Sequence, residues 1–223
     1  LHKNSSLIYL PFDSQLFGYS VAKCTIDHDW DERKFMELAR EFQLVYIFSS
    51  DLLEIQHPSI RWIENKVTYS KELISTQDVS TIFEYRGGMN KQLQALALQS
   101  GVYSRFKVDA RLYSDEFQNL YMNWIDKALK NDMVLTNHEY TALLTLSRGK
   151  MEASIGLLAV EESARGRGLG KILIKAAESR AYSFGAKRLR VTTQKQNEVA
   201  CHLYSSLGYE LTDQMNIYHF WKS

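Results

Sequence analysis

The chain has 223 residues, 45% of them apolar and 24% charged, the composition of an ordinary globular protein long enough for one large domain or two small ones. Its 27 basic and 26 acidic side chains leave a formal net charge of +1, which supplies no global field for nucleic acid or an anionic membrane. No apolar run approaches the ~20 residues of a membrane span, and the sparse cysteines, Cys24 and Cys201, suit a reducing cytosol better than a disulfide scaffold.

The opening "LHKNSSLIYL" lacks the apolar region and small-residue cleavage site of a signal peptide, in keeping with a cytoplasmic location. Residues 19–26 read as a strand, and 30–42 as a helix with Phe35, Leu38, Ala39 and Phe42 at helical spacing. Residues 44–50 form a short apolar strand and 61–73 a longer extended run. The polar "STQDVS" at 75–80 closes this first α/β unit, giving expected domains of 1–79 and 80–223. In the second, 81–86 reads as a strand and the pair Gly87-Gly88 as a break. Residues 93–100 and 115–130 are helical, the latter with Phe117, Leu120, Tyr121, Trp124, Ile125 and Ala128 on one face. Residues 132–137, 140–148 and 152–160 are three strands joined by hairpin-length links. A helix over 169–184, a strand over 187–193, a helix over 198–207 and final strands within 209–221 complete a mixed sheet. Six histidines without paired spacing, and no CxxC, give no expectation of a metal.

Three of the 11 glycines, Gly166, Gly168 and Gly170, alternate just where the 169–184 helix starts. Glycine allows the backbone angles that turn successive N–H groups into one concavity. A helix N-terminus adds unpaired donors and partial positive charge, and together these suit a phosphate or pyrophosphate. Arg165, Arg167 and Lys171 add formal charge. The helix shows Leu169, Leu173, Ala176, Ala177, Ala181 and Phe184 on one side and Lys171, Lys175 and Glu178 on the other. The alternative is a Gly-rich turn with solvated cations. The stretch is not a P-loop, because GxxxxGK[ST] is absent, and GxGxxG fails because Lys171 stands where its last glycine belongs.

"LLAVEESARGRGLG" resembles the acetyl-coenzyme A signature of the GNAT superfamily of N-acetyltransferases. The resemblance continues through "RLRVTTQKQNEVACHLYSSLGYE", with Asn197, Ala200, Tyr204 and Gly208 in the family's order, and covers roughly residues 80–221. It implies the acyl-CoA N-acyltransferase fold, α+β with a mixed, mostly antiparallel sheet flanked by helices, here preceded by a small α/β domain. It further implies acetyl-CoA as co-substrate. The backbone of Leu158, Ala159 and Val160 would pair with the pantetheine arm, and an N–H near Leu158 or Val160 would polarise the thioester carbonyl. The N–H groups of Arg165, Gly166, Arg167, Gly168, Leu169, Gly170 and Lys171 would hold the pyrophosphate. Asn197 would cap its helix and contact the coenzyme. Tyr204 would protonate the leaving thiolate; on spacing alone it reads as an aromatic core residue. Glu161, Glu162, His138 or a water chain are the options for the base.

Three further segments, "PFDSQLFGYSVAKC", "SGVYSRFKVD" and "LYMNWI", resemble the dTDP-fucosamine acetyltransferases within that superfamily. That implies a dTDP-linked 4-amino-4,6-dideoxygalactose as amine acceptor. Arg105, between the two early helices, is a candidate to clamp its phosphate, with a surface salt bridge as the alternative, and Gln194, just beyond the 187–193 strand, is an acceptor-side candidate. Tyr103, Phe106 and Trp124 are candidates to stack on a base or sugar. The competing acceptors are a peptide N-terminus, a lysine or a small amine, and a coenzyme-binding module without turnover is the non-enzymatic alternative. No nucleic-acid or membrane partner is expected, and a homodimer is admitted.

Overall fold

The computed structural model describes residues 7–27, 29–74 and 79–222; His28, the start of "LHKNSSLIYL" and most of "STQDVS" lie outside them. The strands are β1 (Ile8–Tyr9), β2 (Val21–Ile26), β3 (Leu44–Ser49), β4 (Ile60–Glu72), β5 (Phe83–Tyr85), β6 (Met133–Thr136), β7 (Ala142–Arg148), β8 (Glu152–Val160), β9 (Arg188–Gln194) and β10 (Glu210–Trp221). The helices are α1 (Pro11–Phe17), α2 (Glu32–Ala39), α3 (Lys91–Ser100), α4 (Arg105–Val108), α5 (Ser114–Asn131), α6 (Leu169–Ser183) and α7 (Glu198–Ser206). Hydrogen bonds link ten strands in the order β1-β2-β3-β10-β4-β9-β8-β7-β6-β5. Antiparallel pairs dominate, and β2–β3 and β8–β9 are parallel. This is the expected α+β class.

The chain forms two compact units, one of residues up to Lys66 with Gln194–Gln196 and the stretch from Gln214, the other of Val67–Thr193 and Asn197–Asp213. The division falls inside β4 and β10, two strands of 13 and 12 residues, rather than at one point near residue 79. β4 supplies Ile60 to the core of the first unit and Val67 and Tyr69 to that of the second, whereas β10 supplies Tyr218 and Phe220 to the first. The single β10 also replaces the several strands expected at the C-terminus.

In the first unit, α2 starts at Asp31, whose carboxylate accepts from the Lys34 N–H at 2.9 Å. Its Phe35 and Ala39 bury against Ala22, Cys24, Ile26, Val45, Ile47, Tyr218 and Phe220. The motif "PFDSQLFG" is α1, with Pro11 in the first turn and a left-handed Gly18 as its stop. In the second unit the core runs through Leu144, Leu146, Ile155, Leu173, Ile174, Ala177, Leu189 and Val191. Glu178 does not lie on the solvent face of α6: it is 9% exposed and accepts from Lys71 Nζ at 2.9 Å. It follows Ile174 by one turn and so flanks the apolar stripe, where a long lysine from β4 reaches it. Among the described residues no helix is long and apolar enough to cross a membrane.

Candidate active site

The parallel pairing of β8 with β9 ends at Ile155↔Val191, whereas β7 follows β8 to Ala142↔Val160. Gly156 to Val160 thus lie beyond β8's last partner on β9. The phase of the ladder says which groups face that side. The Glu161 N–H bonds to the Thr141 carbonyl at 2.7 Å. Antiparallel partners alternate between bonded and non-bonded pairs, so Ala159↔Leu143 is bonded, and Leu158↔Leu144 and Val160↔Ala142 are not. The N–H and C=O groups of Leu158 and Val160 therefore point away from β7. The Val160 carbonyl accepts from Gln99 Nε2 at 3.1 Å and Arg165 Nε at 3.2 Å, as this phase requires.

A feature that sequence reasoning missed lies at the start of this edge. The β7–β8 register shifts between Leu144 and Leu146, so that Gly156 and Leu157 together oppose Thr145. This is a β-bulge. The buried Leu157 N–H donates to Thr145 Oγ1 at 2.8 Å. A Cβ on Gly156 would come within 2.8 Å of that oxygen. An isolated glycine within an apolar strand was the available signal; Thr145 had none.

Beyond β8, a short 3-10 turn at Glu162–Ala164 leads into the glycines. Gly166 has φ 75° and Gly168, the residue preceding α6, has φ 77°. Both are left-handed, which explains glycine there. A Cβ built on either meets no atom within 4 Å, so open space faces the loop. The first N–H of α6 to reach a helical carbonyl is that of Ile172, bonded to Gly168 O at 3.0 Å. Those of Leu169, Gly170 and Lys171 precede it and have none within the helix. Arg165 and Arg167 turn back onto the carbonyls of Val160 and Ser163, which holds their charge beside the loop. Gly170 serves packing, since its Cβ would meet Leu203 of α7 at 3.2 Å.

Asn197 ends the turn from β9 into α7. Its Oδ1 accepts from the Ala200 N–H at 3.3 Å, and its Nδ2 donates to Thr193 Oγ1 at 3.3 Å. Two turns on, Tyr204 is 3% exposed and shares a cluster with Leu158, Val160 and Leu169. Tyr69 and Tyr209 flank its ring, and its hydroxyl makes no hydrogen bond to a described residue. Burial, then the nearby Cys201, pushes the Tyr204 phenol well above the ordinary tyrosine range. Burial and the Glu178 carboxylate do the same to Tyr209. These raised values carry a sign for stability. An unfolded tyrosine loses its proton near pH ~10, before these folded ones, so the stability they contribute is complete below about pH 10 and lost above it. Thermal unfolding followed from pH 8 to 11 should show that fall, and Tyr204→Phe should make it shallower.

Residues 104–209 match the sequence profile of the acetyltransferase (GNAT) family. Those residues, a little under half of the chain, thus resemble a GNAT acetyltransferase domain. The uncharacterized N-acetyltransferase YdgE of Bacillus subtilis is 36% identical over 62 residues, which are 28% of this chain and 40% of that protein. The match thus spans two fifths of that relative's length. Among solved structures, a GCN5-related N-acetyltransferase from Kribbella flavida is 13% identical with a TM-score of 0.54, covering 92% of this chain and 82% of that one. A functionally unknown conserved protein from Staphylococcus epidermidis is 16% identical with a TM-score of 0.62, covering 100% and 94%. At such identities these likenesses speak to the fold alone.

Of the residues expected to meet the acceptor, Arg105 opens α4 and is half-buried, its guanidinium 4.2 Å from the Phe106 ring centre. Phe106 is buried and meets Trp124 edge-on at 5.7 Å, so Phe106 belongs to the core and does not stack on a ligand. Tyr103, 43% exposed, is the aromatic of that set open to one. Gln194 is the half-buried last residue of β9. Glu161, Glu162 and His138 are exposed, His138 with its ring 5.0 Å from Phe83.

Proposed function

We propose that the chain is an acetyl-CoA-dependent N-acetyltransferase acting on the 4-amino group of a dTDP-linked 4-amino-4,6-dideoxy sugar. The observation carrying the coenzyme assignment is the succession of the β8 edge beyond its last partner on β9, the left-handed glycines facing open space, and the first N–H groups of α6, which have no partner within the helix. A strand edge suits an amide-bearing arm and a helix N-terminus suits its pyrophosphate. Acetyl-CoA supplies an acyl thioester activated toward amines.

In this reading the N–H of Leu158 or Val160 is offered to the thioester oxygen, where negative charge grows as the amine attacks; such a fixed donor acts most strongly where water is excluded. Leu169, Gly170 and Lys171, with the loop before them, hold the pyrophosphate and so align the reacting carbon. Tyr204 stays protonated at neutral pH and donates to the departing sulfur. Burial makes full proton release from this phenol uphill against a thiol titrating near ~8.5, so the hydroxyl acts chiefly as a hydrogen-bond donor until the amine gives up its own proton. Water takes that proton, since the carboxylates and His138 face solvent.

The sugar-nucleotide assignment is supported by the three segment resemblances, two of which map to the α3–α4 turn and to α5. The Arg105 guanidinium, 4.2 Å from the Phe106 ring centre, is of the kind that suits a bidentate phosphate contact. A thiol-release screen of dTDP-amino sugars beside peptides and polyamines tests the proposal; release with peptides or polyamines alone would overturn the acceptor. Arg105→Ala should raise KM for the sugar nucleotide about 10- to 100-fold, the value of a hydrogen bond to a charged group. KM for acetyl-CoA should stay within about twofold, and equal effects on both substrates would remove Arg105 from the acceptor site.

A further inference from the structure

We infer that Thr145 is a positioning residue for acetyl transfer: its hydroxyl locks the β8 bulge that turns the Leu158 and Val160 amides to the open edge. The inference rests on the coenzyme reading above.

The bulge changes the alternation of β8. On β7, Ala142, Leu144 and Leu146 all belong to the cluster shared with α6 and α7. On β8 the members of that cluster are Ala153 and Ile155, then Leu158 and Val160. Two steps on β7 are thus matched by three on β8, because Gly156 and Leu157 share one partner. Side-chain direction in a strand has a period of two, and one extra residue reverses it. The backbone groups reverse with it. Were the strand regular, Leu157 and Ala159 would present their N–H groups at the edge, and those of Leu158 and Val160 would be spent on β7. The amides that face the open side are therefore a product of the bulge.

Thr145 is what keeps the bulge in place. Within a bulge one amide has no ladder carbonyl of its own. Here the amide of Leu157, 7% exposed, donates to the hydroxyl of Thr145, 4% exposed, at 2.8 Å. With both groups buried, water does not substitute, and removing the acceptor leaves a buried donor unsatisfied. Gly156 completes the pair, because any Cβ there would crowd the same oxygen. Thr145 lies on β7, one strand away from the edge it orients, so it acts through Leu157 rather than on the substrate.

Wild-type turnover and acetyl-CoA affinity are measured first; if the protein neither binds nor turns over acetyl-CoA, the coenzyme reading falls and the positioning role with it. Given a competent wild type, Thr145→Val keeps the shape and removes the acceptor, while Thr145→Ser keeps the hydroxyl. Thr145→Val should lower kcat about tenfold or more, because small misplacements of reacting groups carry rate losses up to roughly a hundredfold. KM for acetyl-CoA should change by less than about threefold, since the glycine loop is untouched, and Thr145→Ser should recover most of kcat. Independently of turnover, amide hydrogen exchange in the coenzyme-free protein should quicken at Leu157 in the Val variant and stay slow in the Ser variant. Should Thr145→Val not fold, Gly156→Ala displaces the same hydroxyl and should show the same split. Wild-type kcat in a folded Val or Ala variant, unchanged Leu157 exchange in either of these two variants, or failure of Ser to rescue would each overturn the role of Thr145.

Discussion

Tyr204→Phe is expected to lower turnover by roughly a hundred- to ten-thousand-fold, the range for loss of a positioned general acid, with acetyl-CoA affinity nearly unchanged. The ring is 3% exposed and packed between Tyr69 and Tyr209, and phenylalanine keeps that packing. The hydroxyl makes no hydrogen bond to a described residue, so its removal leaves no protein group unsatisfied. A residue of the core alone would then tolerate the change, or gain stability from it. The two roles separate further with an activated thioester whose leaving group needs no proton, toward which the variant should be far less impaired. Wild-type turnover of acetyl-CoA by the variant, under conditions where chemistry limits the rate, would leave Tyr204 as a core aromatic.

Gly168→Val is expected to weaken acetyl-CoA binding by about a hundredfold or more, the worth of one or two charge-assisted hydrogen bonds. Gly168 sits at φ 77°, where an L side chain costs about 1–2 kcal/mol. The added carbon meets no protein atom within 4 Å, so its side chain would project into the space assigned to the pyrophosphate. Strain and obstruction are separable by a control beyond the far end of α6. Gly185 has φ 91° and equally open surroundings, but lies 17 positions down the chain, past the end of that helix. Gly185→Val should lose similar stability in denaturant and retain full affinity by calorimetry. Equal losses of affinity in the two variants, or none in either, would remove the glycine loop from the coenzyme site.

The parts legible in the sequence were those carried by spacing along one element. The alternate glycines before an amphipathic helix marked the loop, and Asn197 three residues before Ala200 marked the cap. What escaped depends on partners distant in sequence. Thr145 lies in "YTALLTLSR" like any strand residue, and its role exists only once β8 is laid against it with one residue too many. Glu178 looked solvated because Lys71, its partner, is 107 positions away. α1 and α4, of seven and four residues, are too short for a helical period to show. Pro11 and Gly18 at the two ends of α1 were the usable signals. Two units were expected, but the places where the chain passes between them were not, because β4 and β10 carry strand character throughout and neither composition nor glycine marks those places.

Amide hydrogen exchange with and without acetyl-CoA tests the central claim most directly, since it reports binding residue by residue and needs no acceptor. Protection should appear at Leu158 and Val160 and from Gly166 to Lys171, with the amides of β2 and β3 unchanged. Protection confined to the unit of β1–β3, with the β8 edge and the glycine loop unaffected, would contradict the account.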